Sequence, residues 1–246
     1  TIHHKNQDNY ANPVGSTGKG IGPSYADHTF RTGFTFQTLM DPNFKDLIAK
    51  RITEDINTRY HHLGLTVDQI IEDLESPREF LRPYITDTKK RVKQGIKDGK
   101  SYLFEGAQGI LLDIDGPNYP FVTSSNTTFA GIVRAFGDIP ILTRIGVMKA
   151  YVTRVGNGIL PTEEETPKQI REFLQQKGNE FGATTGRPRR CGYLNLDEVI
   201  EGIEDNRITE IALTKLDIWS GIKEKIKEKY ESKYHELDSW DEDISN

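Results

Sequence analysis

The sequence predicts an α/β fold in which a mostly parallel sheet carries a helical insertion. Apolar residues recur every three to four positions over roughly fifty residues after Phe44, which indicates amphipathic helices. Short apolar segments then alternate with helical stretches, an order typical of parallel sheets with helical crossovers. Polar loops follow those apolar segments, at the sheet edge where ligands bind in such folds.

A polar stretch, residues 1–14, is predicted to be a flexible lead-in. Gly15–Gly22 contains too much glycine for the interior of a helix or strand, so it is predicted to be a shaped loop. The helical insertion is predicted over residues 42–100. Its three helices have apolar positions at Phe44, Leu47, Ile48, Ile52, Ile56 and Tyr60, at Val67, Ile70, Ile71 and Leu74, and at Phe80, Leu81, Tyr84, Ile85, Thr88, Val92 and Ile96, the last helix being closed by Gly99.

Strands and helices then alternate. The predicted strands are Ser101–Glu105, Ile145–Val152 and Ile208–Leu213. Helices are expected near Pro167–Lys177 and Asp197–Glu204, and Asn195 or Asp197 provides a cap signal for the second. The sequence contains no internal repeat and no low-complexity linker, so residues 1–246 are predicted to form a single domain.

Composition excludes several classes of protein. A net charge of −5 argues against a nucleic-acid-binding surface, and no apolar run reaches the length of a membrane helix. The amino terminus has no signal-peptide pattern, and the single cysteine, Cys191, excludes an internal disulfide and suits a reducing cytosol. We therefore expect a cytoplasmic protein without nucleic-acid or membrane partners. Cys191 is a candidate nucleophile, but packing is the favoured interpretation.

Two loops have the chemistry of anion binding. Gly15–Gly22 offers backbone N–H groups and hydroxyls, but its spacing is not that of a Walker A loop, and a structural glycine turn is an equal alternative. Gly182–Arg190 joins hydroxyl residues to three arginines within four positions. Because these guanidinium groups repel one another, the loop needs an anionic ligand or acidic neighbours, and arginine forks bind carboxylates and phosphates well.

Three further loops suit a nucleotide. Gln108, on a tight turn, can donate to and accept from a purine edge, or it can satisfy its own loop. The run 119–128 has six hydroxyl or amide side chains, more than helix capping requires, and can hold phosphate oxygens. Thr214-Lys215-Leu216-Asp217 is similar to the N-K-x-D guanine motif of GTPases, in which the carboxylate accepts from two guanine N–H groups and the lysine stem covers the base.

Six motifs in order identify a resemblance to the adenylosuccinate synthetase family. They are G-S-T-G-K-G-I-G-P-S-Y, L-F-E-G-A-Q-G-I-L-L-D-I-D, N-Y-P-F-V-T-S-S-N-T-T, K-A-Y-V-T-R-V-G-N-G, F-G-A-T-T-G-R-P-R-R-C-G and L-T-K-L-D. The match is dense over 15–33 and 103–221 and loose through the helical middle. The resemblance implies a sheet of the P-loop NTPase-like type.

The resemblance also implies a two-step reaction, in which GTP phosphorylates O6 of IMP and L-aspartate then displaces that phosphate at C6. The implied IMP-binding residues are Thr17, Arg31, Gln108, Thr123 and Arg187, with Gln108 also supporting catalysis. The implied aspartate-binding residues are Ala183, Thr184, Thr185, Gly186 and Arg187, and the implied GTP-binding residues are Arg189, Lys215, Leu216 and Asp217. Arg31 is similar to an arginine that reaches the IMP phosphate of the other subunit, so a homodimer is implied.

Some features of the family are absent from the sequence. The family's G-D-E-G-K-G-K loop, whose aspartate is the general base and a Mg²⁺ ligand, is not found, and neither are its general-acid histidine and its guanine-binding S-T-G-P stretch. We therefore expect the ligands of a Mg²⁺ cofactor upstream of Thr1 and no metal ligand within the chain. The chain is interpreted as an internal fragment that does not make adenylosuccinate alone.

Two alternatives stay open. A nucleotide-binding module without catalysis would be consistent with the absent acid and base. A related synthetase acting on another purine nucleotide, such as dGMP, is the enzymatic alternative, although F-E-G-A-Q-G and T-S-S-N-T-T favour IMP.

Overall fold

The computed structural model describes residues 14–55, 66–183, 186–220, 226–230 and 233–237. The helices are α1 (Ile21–Phe30), α2 (Phe36–Met40), α3 (Phe44–Asp55), α4 (Val67–Leu81), α5 (Thr88–Lys97), α6 (Phe129–Phe136), α7 (Lys168–Lys177) and α8 (Leu196–Asn206). Turns of 3₁₀ helix lie at Arg82–Tyr84, Ile110–Leu112 and Leu216–Trp219. The strands are β1 (Ile145–Lys149), β2 (Val152–Arg154), β3 (Arg190–Gly192), β4 (Leu194–Asn195), β5 (Glu210–Thr214), β6 (Ile226–Tyr230) and β7 (Lys233–Leu237).

The chain forms two compact units. A helical unit contains Gly18–Leu103 and Ala135–Gly137, and a strand unit contains Phe104–Arg134 and Asp138–Asn246 with the described residues that precede Gly18. The predicted insertion over 42–100 lies within the helical unit. The interpretation of residues 1–246 as a single domain stays a prediction, and the predicted lead-in lies outside the described residues except for Val14.

Capping side chains set the helix boundaries in the helical unit. The first two predicted helices correspond to α3 and α4, although Ile56 and Tyr60 lie outside the described residues. Thr66 and Gln69 form a capping box that begins α4. Gly99, with a φ of 76°, follows the C-terminal end of helix α5 and closes that helix, as predicted.

The prediction of one helix from Phe80 to Ile96 is wrong. Phe80 belongs to the last turn of α4, and a 3₁₀ turn containing Pro83 follows it. Proline lacks the N–H that would continue the helix. The Asp87 carboxylate then accepts from the Lys90 N–H at 2.9 Å and begins a new helix, α5.

The strand unit confirms the α/β class. β1 pairs with β5 in parallel, from Ile145↔Glu210 to Lys149↔Thr214, and β4 pairs with β6 in parallel. Two antiparallel pairings, β2 with β3 and β6 with β7, accompany them within the described residues. Helices α7 and α8 lie at the two predicted places in the chain.

Two strand predictions need correction. Ser101–Glu105 contains no strand, and Leu103 is 88% exposed, so its apolar side chain does not mark a buried segment. The predicted strand Ile145–Val152 is two strands, because the chain changes partners after Ala150. The Ala150 N–H still donates to the Thr214 carbonyl on β5 at 2.9 Å, whereas Val152 pairs with Gly192 on β3.

The Gly15–Gly22 loop is shorter than predicted. Gly15, Gly18 and Gly20 have φ values of 68°, 68° and 83°, which are conformations that glycine adopts without strain. Helix α1 nevertheless begins at Ile21, so Gly22 is helical. The loop proper therefore ends at Gly20.

The core of the strand unit is aromatic and lies where β1 and β5 end. Its buried members are Ala150, Tyr151, Ile170, Leu174, Cys191, Tyr193, Ile218 and Trp219. The Trp219 ring stacks on Tyr193 with centroids 6.4 Å apart, and its indole N–H donates to the Ala150 carbonyl at 3.0 Å. Within the described residues no helix has the length and apolar character needed to cross a membrane.

Cys191 provides a test of this core. Burial raises the pKa of the Cys191 thiol to about 11, and the carboxylate of Glu180 acts in the same direction. Because thiolate is the reactive form, we expect native Cys191 to react with iodoacetamide at pH 8 at least about 100-fold more slowly than in urea. Equal native and unfolded rates would show that Cys191 is a surface thiol.

Candidate functional site

Arg187 joins the loop before β3 to the glycine-rich loop near the amino terminus. Its Nη1 donates to the Gly15 carbonyl at 2.7 Å, across 172 residues of sequence. A side chain at Gly15 would meet Arg187 Nη2 at 3.3 Å and the backbone of Asn157 at 3.4 Å. The positive φ of 68° therefore favours glycine at position 15, and the loops pack closely around it.

Arg154 joins the same region to the hydroxyl-rich run. Its Nε donates to the Asn157 carbonyl at 2.9 Å and its Nη2 to the Phe121 carbonyl at 2.7 Å. Burial, reinforced by the charge of Arg190, lowers the pKa of Arg154 below its ordinary value. Through Arg187 and Arg154, the loops that carry Thr17 and Thr123 are linked to one another.

Asp113 holds the hydroxyl-rich run in place. This carboxylate is 5% exposed. Its Oδ1 accepts from the Asn126 side chain at 3.1 Å, and its Oδ2 accepts from the N–H groups of Thr127 and Thr128 at 2.6 and 3.3 Å. The Thr123 N–H also donates to the Leu112 carbonyl at 2.9 Å. The run before α6 is therefore anchored to the segment that follows Gln108.

Gln108 lies on a strained turn beside this anchor. Its φ is 62°, an uncommon value for a residue other than glycine, and its side chain is exposed. The Thr127 hydroxyl donates to the Gly109 carbonyl at 2.8 Å, which ties the turn to the hydroxyl-rich run. Such strain is found where a side chain must be held in one direction.

A second group of polar side chains surrounds the ends of β1 and β5. Lys215, with a φ of 63°, follows β5, and its Nζ donates to the Gly178 carbonyl at 2.9 Å. Asp217 is exposed two residues further on, and Leu216 packs against the aromatic core. Lys215–Asp217 thus follow a parallel strand, as the sequence predicts, although Thr214 is itself the last residue of β5.

Glu180 is the centre of this second group. Its side chain is 1% exposed, and its carboxylate accepts from Lys149 Nζ at 2.7 and 2.8 Å, from the Tyr151 hydroxyl at 2.7 Å and from Arg189 Nη1 at 2.7 Å. Burial alone would raise the pKa of Glu180, but these three donors outweigh it and lower the pKa. Burial also lowers the pKa of Lys149, against the attraction of Glu180.

The residues selected from the sequence fall into distinct groups. Thr17, Gln108, Thr123 and Arg187 lie on the linked loops of the strand unit, and Arg189, Lys215, Leu216 and Asp217 lie around the ends of β1 and β5. Ala183 and Gly186 are exposed, whereas Thr184 and Thr185 lie outside the described residues. Arg31 is exposed in the helical unit, after α1, with a φ of 64°.

Several site residues were not selected from the sequence. Glu180, Lys149, Arg154 and Asp113 organise the two groups, and all four lie within or beside the quoted motifs. An acid close to an arginine-rich loop was the available signal for Glu180. No local pattern marks Asp113, because its four partners come from residues up to 15 positions away.

Fold and site together define an α/β protein in which one of two groups of polar side chains surrounds the ends of two parallel strands. The family model described as adenylosuccinate synthetase matches residues 2–246. The chain therefore belongs to the adenylosuccinate synthetase family.

Individual relatives agree with this assignment. The adenylosuccinate synthetase of Salinibacter ruber is 42% identical over 220 residues, which cover 86% of this chain and 49% of that protein. The enzyme of Clostridium botulinum (strain Eklund 17B / Type B) is 38% identical, covering 95% of this chain and 60% of that one. A solved structure, fully ligated adenylosuccinate synthetase from Plasmodium falciparum, matches with a TM-score of 0.86 and 33% identity over 97% of this chain and 57% of its own. The chain spans about half the length of the curated relatives it matches.

Asp113 provides a test of the first group. An amide at this position would place a donor against backbone N–H groups in either orientation, because both carboxylate oxygens accept hydrogen bonds. We expect Asp113→Asn to lower the free energy of unfolding by about 1–3 kcal/mol, measured by denaturant titration. Asp115→Asn, which changes the exposed neighbouring carboxylate, is the matched control. Equal stability of the two variants would show that Asp113 does not anchor the run.

Proposed function

We propose that the protein carrying this chain is an adenylosuccinate synthetase, which uses GTP to join L-aspartate to IMP. The observation that carries the proposal is the linkage of the Thr17, Thr123 and Arg187 loops through Arg187–Gly15 and Arg154–Phe121, in a chain of this family. A purine nucleotide presents a phosphate and a base edge together, and these loops offer hydroxyls, a guanidinium group and an amide.

IMP is proposed to bind at the first group of residues. The hydroxyls of Thr17 and Thr123 would hold the 5′-phosphate, with backbone N–H groups of the glycine-rich loop beside them. Arg187, half-buried, would contact both the ribose and the aspartate carboxylate, since its planar fork suits bidentate binding. Gln108 would contact the hypoxanthine edge, which needs one donor and one acceptor.

L-Aspartate and GTP complete the proposed set of ligands. Ala183, Thr184, Thr185 and Gly186 form the proposed aspartate loop, next to Arg187. Arg189, Lys215, Leu216 and Asp217 form the proposed GTP site, where Asp217 accepts from two guanine N–H groups and the lysine stem covers the base. The exposed position of Asp217 after β5 supports this role.

The reaction proceeds in two displacements. In the first, N1 of IMP loses its proton, O6 attacks the γ-phosphorus of GTP, the bond to the β–γ bridging oxygen breaks, and GDP leaves. In the second, the amino nitrogen of aspartate attacks C6, the C6–O6 bond breaks, inorganic phosphate leaves and the nitrogen loses a proton. The residues of this chain bind and orient the reactants, which is a large part of phosphoryl-transfer catalysis.

The family resemblance implies a Mg²⁺ cofactor. Among the residues that the structure describes, no group of three or more His, Cys, Asp or Glu side chains is placed to hold a metal. No step above is assigned to the ion. A cytoplasmic homodimer in which Arg31 reaches the neighbouring IMP phosphate is also part of the proposal.

The test is turnover by the protein that carries this chain. The purified protein is incubated with IMP, GTP, L-aspartate and MgCl₂, and adenylosuccinate is followed by its absorbance. We expect product only when all three substrates are present. Nucleotide binding without product would instead support a non-catalytic module, and product from dGMP but not IMP would assign a different purine substrate.

Asp217 is expected to determine the preference for guanine. Asp217→Asn replaces one of two acceptors with a donor, so we expect the KM for GTP to rise about 10- to 100-fold, the loss of a hydrogen bond to a charged group. The new amide can donate to the C2 carbonyl of xanthine, so the KM for XTP should fall. Asp205→Asn, which changes an exposed carboxylate on α8, is the matched control. An unchanged KM for GTP would remove Asp217 from the guanine site.

A further inference from the structure

One short turn holds two side chains that lie far apart in sequence. The turn, residues 178–180, follows α7. The Gly178 carbonyl accepts from Lys215 Nζ at 2.9 Å, and the Glu180 carboxylate accepts from Arg189 Nη1 at 2.7 Å. The Arg189 backbone N–H also donates to the Glu180 carbonyl at 2.9 Å. Both proposed GTP-binding cations are therefore anchored to the same turn.

The backbone of this turn has little freedom. A side chain at Gly178 would collide with the Tyr151 hydroxyl and with the Leu174 carbonyl. The N–H groups of Gly178 and Glu180 donate into the last turn of α7, to Leu174 at 2.9 Å and to Gln175 at 2.8 Å. Because Leu174 is fully buried, the position of the turn is determined by the core.

The carboxylate of Glu180 is equally constrained. Lys149 on β1 donates to both of its oxygens and Tyr151 in the core to Oε1, so these bonds restrict its rotation. Arg189 is instead the movable partner, and its side chain is 30% exposed. Within the described part of the chain, its remaining guanidinium nitrogens make no hydrogen bond to protein. One nitrogen of the Arg189 guanidinium group is therefore held in place, while the other nitrogens face outward.

The charges of this cluster favour an anionic ligand. Glu180 carries one negative charge, and Lys149 and Arg189 each carry a positive charge, so the three groups together are positive. Lys215 adds a further cation on the same turn. Glu180 relieves the repulsion between neighbouring cations without neutralising the site, which suits the phosphates of a nucleoside triphosphate.

We propose that the turn 178–180 is a positioning element of the nucleoside triphosphate site, in which Glu180 orients Arg189 and the Gly178 carbonyl orients Lys215. The inference rests on the proposed function and adds Glu180 as a positioning residue that touches no substrate itself. Glu180 acts on the binding of GTP through Arg189 and leaves the binding of IMP unaffected.

The test compares Glu180→Gln with the wild type in the protein that carries this chain. Gln keeps the shape of the side chain but replaces the charged acceptor, so Arg189 loses its anchor. We expect the KM for GTP to rise about 10- to 50-fold while the KM for IMP stays within about twofold. Glu172→Gln, which changes a 60% exposed carboxylate on α7, is the matched control and should leave both constants unchanged.

Two further variants keep the test decisive if Glu180→Gln does not fold. Tyr151→Phe removes a single neutral donor to Glu180, and Glu180→Asp keeps the charge on a shorter stem, so smaller rises confined to GTP are expected. Partial unfolding would lower the active fraction, and hence the apparent kcat, without separating the two KM values. An unchanged KM for GTP, or equal rises for GTP and IMP, would overturn the inference.

The proposed function and the positioning role of Glu180 are tested by different measurements. Absence of turnover in the wild type would overturn the synthetase proposal. The dissociation constant of a fluorescent GTP analogue, measured on the same variants, still tests the positioning role in that case. Weaker binding in Glu180→Gln supports the inference, and equal binding by wild type and variant overturns it.

Discussion

A carboxylate buried as deeply as that of Glu180 would be costly if it were alone, since removing an isolated charge from water costs several kcal/mol. Glu180 is tolerated because Lys149, Tyr151 and Arg189 all donate to it. Lys149 and Tyr151 lie at and just after the end of β1, and Arg189 lies in the segment before β3. Losing any one donor would leave the charge less compensated, so one carboxylate fixes these two segments relative to the turn after α7.

Asp113 is likewise a buried carboxylate that is stabilised by several hydrogen-bond donors, but its donors are of a different kind. Its oxygens accept from backbone N–H groups and an amide, all of them neutral, so it organises the path of the main chain. Glu180 accepts from two cations and a hydroxyl, so it organises side-chain direction. The strand unit therefore has one buried acid that shapes a loop and another that aligns charged groups. Neither carboxylate needs to contact a ligand in order to influence one.

Predictions from the sequence were most accurate for structural features that depend on residues close together in the chain. The amphipathic period of α3 and α4, the glycine that ends α5 and the position of Lys215–Asp217 after a strand all depend on residues within a few positions of one another. The errors have non-local causes. Ser101–Glu105 has the composition of a strand but no described strand partner, and the predicted strand Ile145–Val152 is divided because Val152 pairs with Gly192 on β3, which is distant in sequence. The nearby arginines were a local signal for Glu180, but its contact with Lys149 on β1 is non-local and is not visible in the sequence.

The arginine-rich loop shows how the structure resolves what the sequence left open. Three guanidinium groups so close together required anionic or acidic partners, and two of them have acids: Glu180 for Arg189 and Glu163 for Arg190. Arg187 is directed differently, towards the Gly15 carbonyl. The successive residues Arg189 and Arg190 thus have separate acids, as expected where successive side chains of an extended segment point to opposite faces. The repulsion between the three guanidinium groups is reduced because the groups point towards different partners, and each group has its own fixed direction. A loop that reads as one basic cluster in sequence is therefore three independently anchored groups in the fold.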